Sequence, residues 1–320
     1  MTKPSFEIAG LSAAPGERQS KLLSLSFAGV ATQMPLFVLN GAHDGPTLVV
    51  TAAIHGAEYV GTEAALRLAK NTDPATLHGQ LVVAPICSMT AFKKRAIYVC
   101  PPDDKNLNRM FPGDANGSFA QRLAHWIFEN LIRRADAYLD LHGGDMNEAL
   151  VPFSITRRTG NAALDQKALA LAQAFGIPYI IAGTGPLASN TYAAAAGAGI
   201  PAVLAEVGGQ GLWPERDVQQ MYEGLQRAVA HLGLATTNVP AAPATRLLEE
   251  MVWMRSKHDG LFYPAINVGD GVTKGQALGR IDDYLGNTLE RLVAPTGGTV
   301  LFVVSTLAMN NDDPLLAIGT

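Results

Sequence analysis

Residues 46–58 read Pro-Thr-Leu-Val-Val-Thr-Ala-Ala-Ile-His-Gly-Ala-Glu, and they decide the fold. Residues 46–54 form an apolar, β-branched run without alternation, which predicts a strand buried on both faces of a sheet. After a glycine that permits a tight turn, the apolar spacing over 57–70 predicts a helix. His55 and Glu58 would then lie where the strand ends and the helix begins, which is the edge where open α/β sheets place their sites.

A second motif, Asp140-Leu141-His142-Gly143-Gly144, ends another apolar run that predicts a strand. Two strand-end imidazoles and one carboxylate make a set typical of catalytic zinc, because three protein ligands leave a fourth position for water. We predict one Zn²⁺ per chain, held by His55, Glu58 and His142. The alternative is a core histidine beside a glutamate that favours the helix macrodipole.

Two further acidic residues are candidates for the same site. Asp140 is two residues before His142 on the same strand face, so it either fixes an imidazole tautomer or bonds loop amides. Glu206 interrupts the apolar run at 200–207. Burial beside a metal would tune its proton affinity, as a general base requires. The alternative is a glutamate exposed at the strand end.

A glycine turn offers a rival interpretation. Residues 183–188, Gly-Thr-Gly-Pro-Leu-Ala, fit Gly-x-Gly-x-x-Ala after the predicted strand 177–182, and Glu206 lies near the offset of a ribose ligand. A dinucleotide-binding oxidoreductase would use this turn. Against it, the motif falls late in the chain, and the alanine-rich stretch 193–196 is broken by glycines soon after. A plain glycine turn in an α/β sheet explains the same residues.

Four motifs in order resemble the succinylglutamate desuccinylase/aspartoacylase family, whose members are similar to zinc carboxypeptidases in fold and site. The motifs are His55-Gly56-Ala57-Glu58, Asn106-Leu107-Asn108-Arg109-Met110-Phe111-Pro112-Gly113, Asp140-Leu141-His142-Gly143-Gly144 and Glu206-Val207-Gly208-Gly209. The resemblance implies zinc-dependent amide hydrolysis, with His55, Glu58 and His142 holding zinc. It also implies that Glu206 activates water and passes its proton to the leaving amine.

The resemblance further implies that Asn108 and Arg109 grip a substrate carboxylate. A guanidinium suits this role because its planar fork matches a carboxylate. The alternative is a structural Arg109 paired with a nearby acidic residue, for which the candidates are Asp103, Asp104 and Asp114. Relatives carry a second arginine shortly before the Asn-Arg pair. Residues 98–102 contain none, so Arg95, across a longer loop, is the candidate catalytic group that polarises the carbonyl.

A second departure concerns the substrate. Aspartoacylase-like chains have an arginine shortly before the catalytic glutamate, whereas this chain has Tyr192 and small residues over 193–198. A second substrate carboxylate would lack its partner. The sequence therefore favours a less acidic N-acyl amino acid or a diamino acid derivative.

The chain has 320 residues, of which 48% are hydrophobic, so it can form one or two domains with a sizeable core. A linker-like stretch at 236–245 separates a predicted catalytic domain, 1–237, from a small all-β domain, 246–320. The runs 268–279 and 293–300 resemble the barrel-sandwich hybrid of biotinyl and lipoyl carriers. The hairpin tip holds Leu-Gly-Asn where a carrier needs lysine, so we interpret this domain as structural.

The predicted fold class is therefore α/β. We expect a zinc-carboxypeptidase-like, mixed, mostly parallel sheet flanked by helices, followed by a C-terminal all-β domain like a barrel-sandwich hybrid. The net charge of −4 comes from interspersed charges, which argues against nucleic acid as a partner. No membrane-length apolar run or signal-like start is present, so we expect a cytoplasmic protein that does not bind membranes. Cys87 and Cys100 are expected to be free thiols.

The predicted function is a zinc-dependent hydrolase, a deacylase that cleaves the acyl amide of a small N-acyl amino acid or related amide. The alternatives are a metallocarboxypeptidase acting on short peptides, the dinucleotide-binding oxidoreductase, and a non-catalytic binding protein. The sequence leaves open whether chains assemble into a homo-oligomer.

Overall fold

The computed structural model describes residues 3–320. Its helices are α1 (Tyr59–Asn71), α2 (Met89–Lys94), α3 (Phe119–Asn130), α4 (Ala162–Phe175), α5 (Thr191–Gly197) and α6 (Glu215–His231), with 3-10 turns at Leu107–Arg109 and Ile132–Arg134. Its first strands are β1 (Phe6–Ile8), β2 (Leu11–Ala13), β3 (Glu17–Phe27), β4 (Val30–Asn40), β5 (His43–Ala52), β6 (His78–Ala84), β7 (Ala137–His142), β8 (Glu148–Leu150), β9 (Phe153–Arg157), β10 (Tyr179–Gly183), β11 (Ala202–Glu206) and β12 (Arg246–Leu248). The remaining strands are β13 (Met251–Arg255), β14 (Gly260–Pro264), β15 (Gly271–Val272), β16 (Ala277–Asp282), β17 (Thr288–Val293), β18 (Gly298–Val304), β19 (Ala308–Met309) and β20 (Pro314–Gly319).

Within residues 3–320 the largest sheet has nine strands, in the order β12-β10-β9-β11-β7-β5-β6-β4-β3. Five of its eight strand pairings in this part of the chain are parallel, so the sheet is mixed and mostly parallel. Helices α1, α4 and α6 pack on one face, and α3 and α5 pack on the other. The α/β class with flanking helices is confirmed.

The central strands β7 and β11 are buried almost throughout, and the central strand β5 is buried from Thr47 onward, as their apolar composition predicts. They are mutually parallel, and β7 lies between the other two. Their carboxyl ends therefore meet at one edge of the sheet. In the β11–β7 register Glu206 is the partner of His142, which brings two distant motifs side by side.

The first motif differs from prediction in detail. Helix α1 begins at Tyr59, so Glu58 occupies the N-cap position and does not lie in the first helical turn. Gly56 is not in the left-handed region. Glycine is required at this position for a steric reason, because a Cβ there would lie 2.2 Å from the carbonyl carbon of Ala91 in α2. The close approach of α2 keeps the loop between β5 and α1 in place.

The C-terminal part consists of two small sheets, ordered β13-β20-β18-β15 and β17-β16-β14-β19. They enclose an apolar core that includes Phe262, Leu278, Ile281, Val300, Phe302, Leu316 and Ile318. Two strands cross the predicted boundary: β8 pairs with β18, and β12 pairs with β10 at the edge of the large sheet. The two parts are therefore joined by backbone hydrogen bonds as well as by the linker.

In residues 3–320, none of the helices has the length and apolar character needed to cross a membrane.

The contact of α1 with β7 leads to a stability prediction. A Cβ on Gly61 would lie 2.8 Å from the Leu141 Cβ, one residue before His142. Overpacking costs about 1–3 kcal/mol, whereas the better helix propensity of alanine contributes about 1 kcal/mol. We expect Gly61→Ala to lower the free energy of unfolding, by up to about 2 kcal/mol, in urea denaturation. The exposed Lys70→Ala in the same helix should change it by less than about 0.5 kcal/mol. Unchanged or higher stability of Gly61→Ala would contradict the packing argument.

Candidate metal centre and active site

The three predicted ligands lie together at the carboxyl edge of the large sheet. One ligand atom from each of His55, Glu58 and His142 lies within 4.8 Å of the others. The Glu58 carboxylate lies between the imidazoles, with Oε1 2.7 Å from His55 Nδ1 and Oε2 2.9 Å from His142 Nδ1. Each residue thus turns a donor atom toward a common point.

The outer nitrogens of both imidazoles have oxygen partners. His142 Nε2 is 2.9 Å from the Asp140 carboxylate, and His55 Nε2 is 3.0 Å from Asn106 Oδ1. An Nε2–H donated to these oxygens leaves the Nδ1 lone pair for a cation, which is how metal-binding histidines are usually oriented. The donor set therefore fits a divalent metal such as Zn²⁺.

The charges of this cluster also favour a cation. Burial alone would raise the pKa of the Glu58 carboxyl group, but the two imidazoles hold it at about 2. Burial opposes protonation of His142, yet the carboxylates of Asp140 and Glu58 outweigh it and raise the pKa well above its usual range. The same anionic surroundings attract a metal ion.

Asp140 is completely buried and bonds side chains. Besides His142, it accepts hydrogen bonds from the hydroxyl groups of Thr51, at 2.6 Å, and Thr191. It therefore holds the imidazole in place and is not a cap for loop amides, which decides between the two roles that the sequence allowed. Thr51 lies on β5 and Thr191 begins α5, so the carboxylate ties both elements to β7.

Glu206 lies beside this centre as the last residue of β11. In-register residues of neighbouring strands point to the same side of a sheet, so its carboxylate shares the side of His142. Its Oε2 atom is buried and has no hydrogen-bond partner in the described part of the chain. Burial raises the pKa of Glu206 well above its usual range, and the carboxylates of Glu58 and Glu148 add to the increase. The geometry suits a group that takes and returns a proton.

Asn108 and Arg109 lie in the 3-10 turn facing the centre. Asn108 is buried, with Nδ2 3.5 Å from His142 Nε2 and Oδ1 accepting from the Thr191 backbone at 3.0 Å. The exposed Arg109 donates to the Asn108 carbonyl at 2.9 Å. Across residues 3–320 it forms no ion pair with an acidic residue, including the three aspartates considered from the sequence. Its charge is therefore available to an anionic ligand.

Arg95 lies elsewhere. It follows α2 with a left-handed backbone, its side chain is exposed, and it is not among the residues that line the cavity described below. The structure offers no contact through which it would polarise a substrate carbonyl, so that role stays a prediction without structural support.

A cavity of about 550 Å³ opens over the ligands. Its walls come from both parts of the chain. The catalytic part contributes His55, Glu58, Tyr98, Asn106, Asn108, Arg109, His142, Gly143, Glu148, Leu150, Phe153, Ile155, Asn190, Tyr192, Leu204 and Glu206, and the C-terminal part contributes Met251, Trp253, Arg255, Phe302 and Pro314. This volume is within the range of small-molecule sites.

Sequence reasoning missed several of these residues. Asn106 belongs to a motif that was recognised, but its contact with His55 requires the loop to fold back across the chain. Tyr98 and Glu148 carry no motif, and their hydrogen bond of 2.6 Å joins distant segments. Trp253 and Phe302 come from a domain expected to be structural. The contacts of these five residues leave no spacing signal in the sequence.

The dinucleotide interpretation loses its main support. Gly183 ends β10, but α5 begins only at Thr191, so no helix follows the glycine turn directly. The Arg157 side chain instead contacts this turn and donates a hydrogen bond to the Thr184 carbonyl at 2.6 Å. A dinucleotide pyrophosphate needs the helix N-terminus at that point.

Known proteins are similar to this chain in sequence and in fold. The model of the succinylglutamate desuccinylase/aspartoacylase catalytic domain matches residues 44–232. The N-alpha-acetyl-L-2,4-diaminobutyric acid deacetylase of Halomonas elongata is 29% identical over 261 residues, which are 79% of this chain and 75% of that protein. The product-bound structure of the ectoine utilization protein EutE (DoeB) from Ruegeria pomeroyi has a TM-score of 0.86 and 27% identity, covering 95% of both chains.

A crystal structure of a succinylglutamate desuccinylase/aspartoacylase from Rhodobacter sphaeroides has a TM-score of 0.84 and 26% identity, covering 94% of this chain and 95% of that one. The match of the family model extends over more than half of the chain and includes all three predicted ligands. The predicted family is confirmed. The chain belongs to the succinylglutamate desuccinylase/aspartoacylase family.

Proposed function

We propose that this protein is a zinc-dependent deacylase that cleaves the acyl amide of a small N-acyl amino acid. The observation that carries the proposal is the placement of Glu206 in register with His142, next to the cluster with His55 and Glu58. A proton-accepting carboxylate beside an open two-His, one-carboxylate set is the arrangement that metal-assisted amide hydrolysis needs. Relatives whose names describe deacylases support it.

His55, Glu58 and His142 would hold the metal through the donor atoms that face one another. A bound Zn²⁺ would polarise the scissile carbonyl and make water acidic enough to attack at neutral pH. Asp140 keeps the His142 ring in position, and Asn106 does the same for His55.

The proton path runs through Glu206. As water attacks the amide carbon, Glu206 accepts a proton, and it returns that proton to the nitrogen as the carbon–nitrogen bond breaks. The products are the acyl acid and the free amine. Arg109 would bind the α-carboxylate of the amino-acid half, with Asn108 beside it.

The substrate proposal follows from the charges of the cavity. Arg109 and Arg255 are the arginines that line it, and Arg255 already donates to the Asp312 carbonyl at 2.6 Å. Arg255 also lies 3.8 Å from the Asp312 carboxylate, whereas Arg109 has a carbonyl partner but no acidic partner in residues 3–320, which suits an amino acid with one carboxylate. Together with the Halomonas elongata deacetylase, this favours an Nα-acetyl diamino acid such as Nα-acetyl-2,4-diaminobutyrate.

We also propose that the large sheet is carboxypeptidase-like and that the C-terminal part is a barrel-sandwich hybrid. The mostly parallel sheet with its site at the carboxyl edge supports the first. The two small sheets around one core support the second. The exposed Leu285 at the β16–β17 tip, where a carrier would have lysine, supports a structural role.

The first prediction of this proposal concerns metal content. The purified protein should bind about one zinc per chain, and His142→Ala should lose it, because two remaining ligands bind far more weakly than three. Elemental analysis after dialysis measures the zinc. His231→Ala, which removes an exposed histidine at the end of α6, is the matched control and should keep full occupancy. Retained zinc in His142→Ala would overturn the ligand set.

The second prediction concerns the general base. Glu206→Gln preserves the shape of the side chain but cannot accept the proton, so kcat should fall by about 10²–10⁴ with zinc and fold retained. Turnover of Nα-acetyl-2,4-diaminobutyrate is measured on metal-loaded protein. Glu249→Gln, an exposed carboxylate, should behave as wild type. Near-normal turnover of the Glu206 variant would exclude this role.

The third prediction concerns Arg109. The wild type should strongly prefer an N-acetyl amino acid to its α-amide, whereas Arg109→Ala should treat both nearly alike, a loss of about 2–5 kcal/mol for the acid. Arg109→Lys should be impaired less, because it keeps the charge but not the fork.

The control for Arg109 is Arg216→Ala, whose side chain is 84% exposed. If the preference for the free acid survives in Arg109→Ala, another cation makes the contact. Arg95→Ala would then show whether Arg95 makes it.

A further inference from the structure

The cavity contains a buried carboxylate that the proposed reaction does not use. Glu148 is 9% exposed and lines the cavity together with Arg109 and Glu206. Glu58 belongs to the metal cluster and Glu206 to the proton path. In the chain from residue 3 to 320, Glu148 forms no ion pair with a lysine, arginine or histidine.

Two neutral donors hold Glu148 in one orientation. Its Oε1 accepts from the Tyr98 hydroxyl at 2.6 Å, and its Oε2 accepts from the Asp145 backbone N–H at 2.8 Å. A carboxylate has about four acceptor positions, so each oxygen can still accept from a ligand. The Glu148 side chain is therefore held in one orientation and still has free acceptor positions.

Glu148 is buried without a paired cation in the described part of the chain. Burial raises its pKa to about 7, and the nearby carboxylates of Glu58 and Asp145 add to this, although its own hydrogen bonds oppose it. An ionised carboxylate buried without a counter-ion is costly. A ligand that brings a cation would remove that cost.

The wall next to Glu148 is apolar and aromatic. Leu150 lies two residues along the same face of β8, and its register partner on β18 is Phe302. The Trp253 ring lies 5.1 Å from the Phe302 ring, and all three side chains line the cavity. Such a wall packs methylene groups, and its rings favour a nearby ammonium group.

We propose that Glu148 binds the side-chain ammonium group of a diamino acid substrate. The inference rests on the proposed deacylase function and adds to it the residue that selects the amine. The carboxylate supplies the charge, the wall formed by Leu150, Phe302 and Trp253 packs the methylene stem, and Arg109 takes the α-carboxylate.

The test compares two substrates that differ only in the amine. Nα-acetyl-L-2,4-diaminobutyrate carries an ammonium group where Nα-acetyl-L-norvaline carries a methyl group of similar size. The wild type should prefer the first. Glu148→Gln should reduce the ratio of the two kcat/KM values by about 30-fold or more, the effect of losing a buried charge pair, with little change for norvaline.

The glutamine variant preserves the local hydrogen bonds. Its amide oxygen can accept from the Asp145 N–H, and its NH₂ can donate to Tyr98. The Tyr98 hydroxyl can then donate to Asn147 Oδ1, which is 3.1 Å away. A change in the substrate ratio therefore reports the charge and not a collapsed loop.

Two controls separate recognition from structure. Tyr98→Phe removes a contact of Glu148 without changing its charge, so the preference for the amine should survive even where total activity falls. Glu250→Gln removes an exposed carboxylate outside the cavity and should leave the substrate ratio unchanged. If Glu148 were merely structural, Glu148→Gln would weaken both substrates equally, as Tyr98→Phe would.

The outcomes distinguish this inference from the proposed function. Hydrolysis of both substrates with no preference in the wild type, or a preference that survives in Glu148→Gln, overturns the role of Glu148 and leaves the deacylase proposal standing. Absence of hydrolysis overturns the deacylase proposal. Calorimetric binding of L-2,4-diaminobutyrate and L-norvaline then decides the role of Glu148. Tighter binding of the diamine that is lost in Glu148→Gln supports it, and equal binding overturns it.

Discussion

The hydrogen bond between the Asp140 carboxylate and the His142 imidazole is the contact on which the site depends. Asp140 is completely buried, so it must be paired, and its other partners are the hydroxyls of Thr51 and Thr191. Removing one partner of a buried charge typically costs about 3–5 kcal/mol. The carboxylate thus fixes the imidazole while it holds β5, β7 and α5 together. The stability of the fold and the orientation of His142 therefore depend on the same buried group.

The rest of the site is arranged around that imidazole by sheet geometry. Glu206 reaches its side because β11 runs parallel to β7 and pairs in register with it. His55 and Glu58 reach it from the loop after β5, which α2 packs against closely at Gly56. Parallel strands end at a common edge, so residues distant in sequence converge without long loops.

The C-terminal part contributes directly to the cavity. Strand β8 leaves the catalytic part to pair with β18, which places Glu148 and the apolar wall of Trp253 and Phe302 at the same cavity. The cavity wall therefore offers the Arg109 guanidinium as well as a carboxylate beside aromatic rings. This distribution of charge suits a small ligand that carries both signs.

The sequence by itself determined the parts that depend on local pattern: the buried strands, the strand-end histidines, the order of the family motifs and the glycine-rich β region. It also made Glu206 a candidate, as a charge within an apolar run, and the family resemblance made Arg109 one; their roles stay predictions. Only the tertiary structure decided that Asp140 bonds side chains and that Arg95 lies away from the cavity. It also showed that Glu148 contacts Tyr98 and that the C-terminal part contributes Trp253 and Phe302 to the same cavity. These contacts join segments far apart in the chain, and no local periodicity encodes which distant surfaces pack together.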